Sequence, residues 1–135
     1  MRTKRIAISG FFNPIHIGHI RMIQESAKLG NVYVIINNDE QVKLKGSTPF
    51  MNEEDRREIV SNIKGVYKTV ISFDTDKSIG KTLRWIAPDI FANGGDRKDE
   101  DDIPESKICK ELGIKMIFNI GGNKIRSSSE LLKKL

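Results

Sequence analysis

Five short runs rich in isoleucine and valine, separated by segments with helical spacing, constrain this chain more than any other feature. They predict strands at Arg5–Ser9, Val32–Asn37, Lys68–Phe73, Ile90–Asn93 and Lys115–Asn119. The runs are mostly continuous rather than alternating, which is the pattern of strands covered on both faces. Helices are predicted at Ile17–Leu29, Asn52–Ile63, Ile79–Ile86, Pro104–Leu112 and Ser127–Leu135. In the first of these, Ile20, Met22, Ile23, Ala27 and Leu29 make an apolar stripe, and Gly30 is expected to stop it. Asn52 and Ser127 are natural N-caps, Asp55 sits three residues after Asn52 as in a capping box, and Pro104 suits a first helical turn. Alternation of strand and helix joins parallel strands by crossovers. The expected fold is α/β: a single doubly wound parallel sheet of about five strands with helices on both faces, in one domain over 1–135.

Composition narrows the setting. Apolar residues at 38% and charged residues at 30% describe an ordinary globular protein. No apolar run approaches a membrane span, and Ile6-Ala7-Ile8 is far too short for a signal-peptide core. The single cysteine, Cys109, excludes an internal disulfide and fits a reducing, cytoplasmic setting. Its helical surroundings predict a packed structural thiol. The net charge of +5 can mean nucleic acid or a site for a polyanion. The basic residues are scattered and no aromatics are interleaved with them, which favours a triphosphate and no nucleic acid.

The chemistry concentrates in Ser9-Gly10-Phe11-Phe12-Asn13-Pro14-Ile15-His16-Ile17-Gly18-His19, between the first strand and the first helix. The only two histidines of the chain lie here, three residues apart. At that spacing they share one helix face and can both donate to one phosphoryl group. A helix N-terminus and turn amides beside them can face phosphate oxygens. Gly10 is expected to allow a tight turn after the strand, and Gly18 a close approach of phosphate to the helix start. Phe11 and Phe12 are expected to be wall and core, and Asn13 either binds phosphate or bonds its own turn.

This segment resembles the signature of the cytidylyltransferase-like nucleotidyltransferases, and the resemblance extends along nearly the whole chain. Asn37-Asn38-Asp39 closes the second strand as similar segments do, with Lys43 and Lys45 in a basic loop after it and Glu54-Asp55-Arg56 opening the next helix. Asn93-Gly94-Gly95-Asp96-Arg97 looks like the Gly-Gly-Asp turn of the sugar-phosphate branch, and Ile125-Arg126-Ser127-Ser128-Ser129 resembles the closing hydroxyl-rich motif. The resemblance implies strand order 3-2-1-4-5 and the transfer of a nucleotidyl group from ATP or CTP to a small phosphorylated acceptor, with release of pyrophosphate. Catalytic roles fall to His16, His19, Lys43 and Lys45. Nucleotide contacts fall to Gly10, Phe11, Phe12, Asn13, Gly18, Gly94, Gly95, Asp96, Arg126, Ser127 and Ser128. Acceptor contacts fall to Asn38, Asp39 and Arg56. For either lysine the alternative is a solvated surface role, and for Arg56 a helix-surface ion pair.

The branch that activates heptose 1-phosphate by adenylyl transfer is the nearest in appearance, and glycerol-3-phosphate cytidylyltransferases come next. Asn13-Pro14-Ile15-His16 looks more like the mononucleotide adenylyltransferases. A nucleotide-binding module without turnover is the alternative of another class. Magnesium is expected to arrive with the triphosphate, held largely by the phosphates, because no dedicated carboxylate cage is visible. The resemblance also implies a homodimer.

Overall fold

Strand β1 (Arg5–Gly10) is the middle of the sheet, and its Ile6, Ala7 and Ile8 are each 0% exposed. Burial of three consecutive residues requires cover on both faces, because successive side chains point to opposite sides of a strand. A computed structural model describes residues 3–94, 103–118 and 120. Within them the order is β1, α1 (Ile17–Ala27), β2 (Asn31–Ile36), α2 (Asp39–Leu44), α3 (Glu53–Ser61), β3 (Val66–Ile71), α4 (Gly80–Ile86), β4 (Ile90–Ala92), α5 (Ser106–Leu112) and β5 (Lys115–Ile117).

All strand pairs are parallel and the sheet order is β3-β2-β1-β4-β5, as expected. Ile6 and Ile8 face one core with Ile23 of α1 and Val60 of α3. Ala7 faces the other with Leu83 of α4 and Cys109 of α5. Each fully buried isoleucine or leucine contributes about 1.5–3 kcal/mol of transfer free energy. None of the described helices is long and apolar enough to cross a membrane.

Three local expectations change. The segment from Glu40 to Ser47 is not a loop throughout, since it contains most of α2. Asn38 caps this helix by accepting from the Gln41 N–H at 2.8 Å, and the Gln41 side chain returns to the Asn38 N–H at 3.1 Å. Helix α1 ends at Ala27, with its cap at Lys28, so Gly30 is not its stop. A Cβ on Gly30 would stand 2.4 Å from the Lys4 carbonyl oxygen, so the glycine allows one backbone to pass close to another. Strand β3 ends at Ile71, two residues earlier than expected. Beyond it the buried carboxylate of Asp74 accepts from the Lys81 and Thr82 N–H groups at 2.8 and 3.1 Å, capping α4 from outside the helix.

Cys109 is 0% exposed. Burial, with the nearby charge of Glu105, pushes its thiol up from 9.0 to about 11. A thiol reagent at pH 8 is therefore expected to label only unfolded chain, followed by mass increase with and without urea. The folded value lies above the unfolded one, so this group's stabilisation is intact below pH 9 and declines as pH rises toward 11. Rapid labelling of the native protein would contradict the placement.

Candidate functional site

The carboxyl ends of β1 and β4 meet where strand order reverses, the usual ligand crevice of such sheets. Ile6 pairs with Ile90 and Ala7 with Phe91, a register that carries Gly10 toward Gly94. The His16–His19 turn follows β1, and Asn93-Gly94 follows β4.

Helix α1 begins without a conventional cap residue, and the two histidines do that work. His16 has extended backbone, and its Nδ1 accepts from the Gly18 N–H at 3.1 Å. His19 Nδ1 accepts from the His16 N–H at 3.1 Å. The rings are stacked with centroids 3.9 Å apart, and Phe12 lies against His19 at 4.6 Å. A neutral imidazole that accepts at Nδ1 carries its proton on Nε2. Both rings are thus set as Nε2–H donors, and the stack fixes one ring against the other. The capping bonds fix tautomer and orientation together.

Gly10 has a different backbone role from the one expected. The left-handed residue in this turn is Phe12, at φ 50°, and Gly10 does not share that conformation. The Phe12 ring is 1% exposed and lies 3.2 Å from where a Cβ on Gly10 would sit. Gly10 therefore makes room for the ring that backs His19.

Two buried side chains organise the walls. Asn13 is 2% exposed. Its Nδ2 donates to the Thr48 carbonyl at 3.0 Å, and its Oδ1 accepts from the Phe50 N–H. The amide thus ties the 48–50 loop to the histidine turn, the second of its two expected uses in a modified form: the bonded backbone is a neighbouring loop.

Arg56 is not a helix-surface ion pair. Its side chain is 0% exposed. Nη1 donates to the Phe11 and Asn37 carbonyls at 2.7 Å each, Nε to the Met51 carbonyl at 3.0 Å, and Nη2 to the Asp39 carboxylate at 2.6 Å. Neighbouring Arg57 takes the surface role, pairing with Glu54 at 3.1 Å. Asp39 is engaged by Arg56, and Asn38 caps α2 while its Nδ2 donates to the Ser72 and Asp74 carbonyls.

Of the two lysines, Lys43 is an exposed partner of Glu40 at 3.4 Å. Lys45 holds its ammonium 4.3 Å from the centre of the Phe11 ring, a cation–π contact beside the histidine turn. Gly94 is described and half-buried; Gly95, Asp96, Arg126, Ser127 and Ser128 lie outside the described residues, as does the helix expected from Ser127.

Sequence reasoning missed Gln41, which is 1% exposed. Its Oε1 accepts from Asn37 Nδ2 and the Asn38 N–H, and its Nε2 donates to the Asp76 and Ser78 carbonyls. The spacing Asn38-x-x-Gln41 was the available signal, a capping box with Asn in place of Ser. No group of three or more His, Cys, Asp or Glu able to hold a metal ion occurs among the described residues.

Comparison with known proteins agrees with this geometry. The family model for cytidylyltransferase-like proteins matches residues 7–130. The FAD synthase of Thermoplasma acidophilum is 33% identical over 135 residues, covering 97% of this chain and 93% of the relative. The bifunctional protein HldE of Desulfatibacillum aliphaticivorans is 35% identical over 118 residues, covering 85% of this chain and 24% of that protein. The crystal structure of a lipopolysaccharide core biosynthesis protein from Thermoplasma volcanium superposes with a TM-score of 0.75 at 30% identity, covering 87% of this chain and 96% of that one. The parallel sheet, the paired histidines at its switch point and these likenesses lead to one conclusion: the chain belongs to the cytidylyltransferase-like family and is a nucleotidyltransferase.

Proposed function

We propose that this enzyme transfers the adenylyl group of ATP to the phosphate of FMN, forming FAD and releasing pyrophosphate. The observation that carries this reading is the nearly end-to-end likeness to FAD synthases. A phosphate oxygen of the acceptor attacks the α-phosphorus of ATP, the α–β bridging oxygen leaves with pyrophosphate, and the new bond is the phosphoanhydride of FAD. The attacking group is already an anion, so no general base is needed. Catalysis then rests on positioning and on charge stabilisation of an in-line transfer.

The chain's own residues suit that task. The Nε2–H groups of His16 and His19 donate to oxygens of the α-phosphate and of the departing pyrophosphate. Amides at the start of α1 supply positive potential. Lys45, and Lys43 beyond it, neutralise the acceptor phosphate or triphosphate. Gly94 with Gly95 and Asp96 receives base and ribose, and Arg126, Ser127 and Ser128 receive the outer phosphates. Magnesium would arrive with the triphosphate and offset part of its charge.

A second reading, adenylyl transfer to a sugar 1-phosphate, is favoured by the likeness to HldE and by the Gly94-Gly95-Asp96 turn. Pyrophosphate release decides between them, with ATP and CTP each crossed against FMN, heptose 1-phosphate and glycerol 3-phosphate. Release with ATP and FMN, with FAD recovered by chromatography, is the expected result. Release only with a phosphorylated sugar or polyol replaces FMN as acceptor. Silence throughout removes the assignment.

A further inference from the structure

Phe50 is a large aromatic residue left 53% exposed on a loop that is held at three points. Asn13 bonds the Thr48 carbonyl and the Phe50 N–H, and Arg56 Nε bonds the Met51 carbonyl at 3.0 Å. Both anchoring residues, Asn13 and Arg56, are buried. The same Arg56 also holds the Phe11 carbonyl, so the 48–51 loop and the histidine turn are braced as one body. A single exposed phenylalanine on a surface is ordinary. Here the backbone on both sides of the ring is fixed to the phosphate-binding turn, and such preorganisation lowers the entropic cost of receiving a ligand.

The loop also has a definite side. It follows β2 and α2, so it lies across β1 from the Asn93-Gly94 end of β4. With nucleotide base and ribose on the β4 side, the β2 side is left to the acceptor. Lys45, over Phe11 in the braced turn, puts a cation on the same side. An acceptor suited to this wall has a flat apolar ring at one end and a phosphate at the other.

We infer that Phe50 is a specificity-determining platform on which the isoalloxazine ring of the acceptor stacks, with the acceptor phosphate directed toward Lys45 and the histidine pair. This rests on the FMN reading above. It adds a discriminating contact that a sugar phosphate would leave unused.

The test compares wild type, Phe50→Ala and Phe50→Trp. Equilibrium dialysis gives FMN affinity, steady-state kinetics gives KM for FMN and for ATP, and thermal melting checks the fold. Phe50→Ala is expected to weaken FMN binding and raise its KM by about tenfold or more, the usual effect of removing a stacking ring. KM for ATP and the melting temperature should stay as in wild type. Phe50→Trp should keep FMN affinity and deepen the quenching of flavin emission on binding. An alanine variant with unchanged FMN affinity overturns the inference while leaving the FMN reading intact. A rise in KM for ATP alone also overturns it, assigning the ring to the nucleotide base. A wild type that neither binds nor uses FMN removes both.

Discussion

Replacing His16 by asparagine is expected to lower kcat by about a hundred- to a thousandfold while α1 stays capped. The proposed mechanism gives His16 two purposes with two atoms. Its Nδ1 accepts from the Gly18 N–H, and its Nε2–H is the donor assigned to phosphate. Asparagine is a favoured N-cap and can take over the first task. It has no atom at the position of Nε2, so the second is lost. His16→Ala loses both, and should add about 1 kcal/mol of destabilisation to the same loss of turnover. Pyrophosphate release gives kcat, melting gives stability, and titration with a non-hydrolysable triphosphate shows whether ground-state binding survives. Full activity in the asparagine variant would show that His16 only caps the helix, and the mechanism would need another donor.

Replacing Arg56 by methionine should cost about 3–5 kcal/mol, a large share of the 5–15 kcal/mol typical of a domain. The guanidinium is wholly buried and serves four acceptors: the Phe11, Asn37 and Met51 carbonyls and the Asp39 carboxylate. Methionine matches much of the volume and leaves all four without that partner, the costly case for buried polar groups. Arg56→Lys should not rescue it, because one ammonium cannot span acceptors that a planar fork reaches in several directions. Asp39→Asn should be milder, since its side chain is 28% exposed and water can replace part of the loss. Urea denaturation monitored by circular dichroism measures each change. A shift below about 1 kcal/mol for Arg56→Met would mean that the turn is held by packing alone.

The two predictions differ in how far they could be read from the chain. The histidine pair was legible as a candidate phosphate-binding feature because it lies three residues apart at the start of a helix that follows a strand. What the spacing did not reveal is that the rings cap that helix. Histidine is not among the preferred N-caps, and the bonds depend on the extended backbone of His16 and the stack with His19. The resemblance singled out Arg56 as an acceptor contact, and nothing in the sequence showed that its guanidinium would be spent on backbone carbonyls and Asp39. Arg56 and Arg57 are adjacent and alike in sequence, and one is buried while the other pairs with Glu54 in solvent. Which arginine turns inward depends on where α3 sits against the ends of β1 and β2.

Local sequence determined the strands through their unbroken apolar runs, because burial on both faces leaves no room for polar alternation. It determined that the histidine turn begins a helix, through the placement of glycine and histidine after β1. It also contained α2, whose cap is spelled by Asn38 and Gln41, although six residues with two nearby lysines read as a loop. The tertiary structure alone decided the long-range contacts. Gly30 matters because Lys4 passes over it, Asp74 caps a helix it does not belong to, and Asn13 and Arg56 spend their polar atoms on carbonyls and amides from other segments. A side chain's type limits what it can donate or accept. Only packing decides which distant backbone stands within reach.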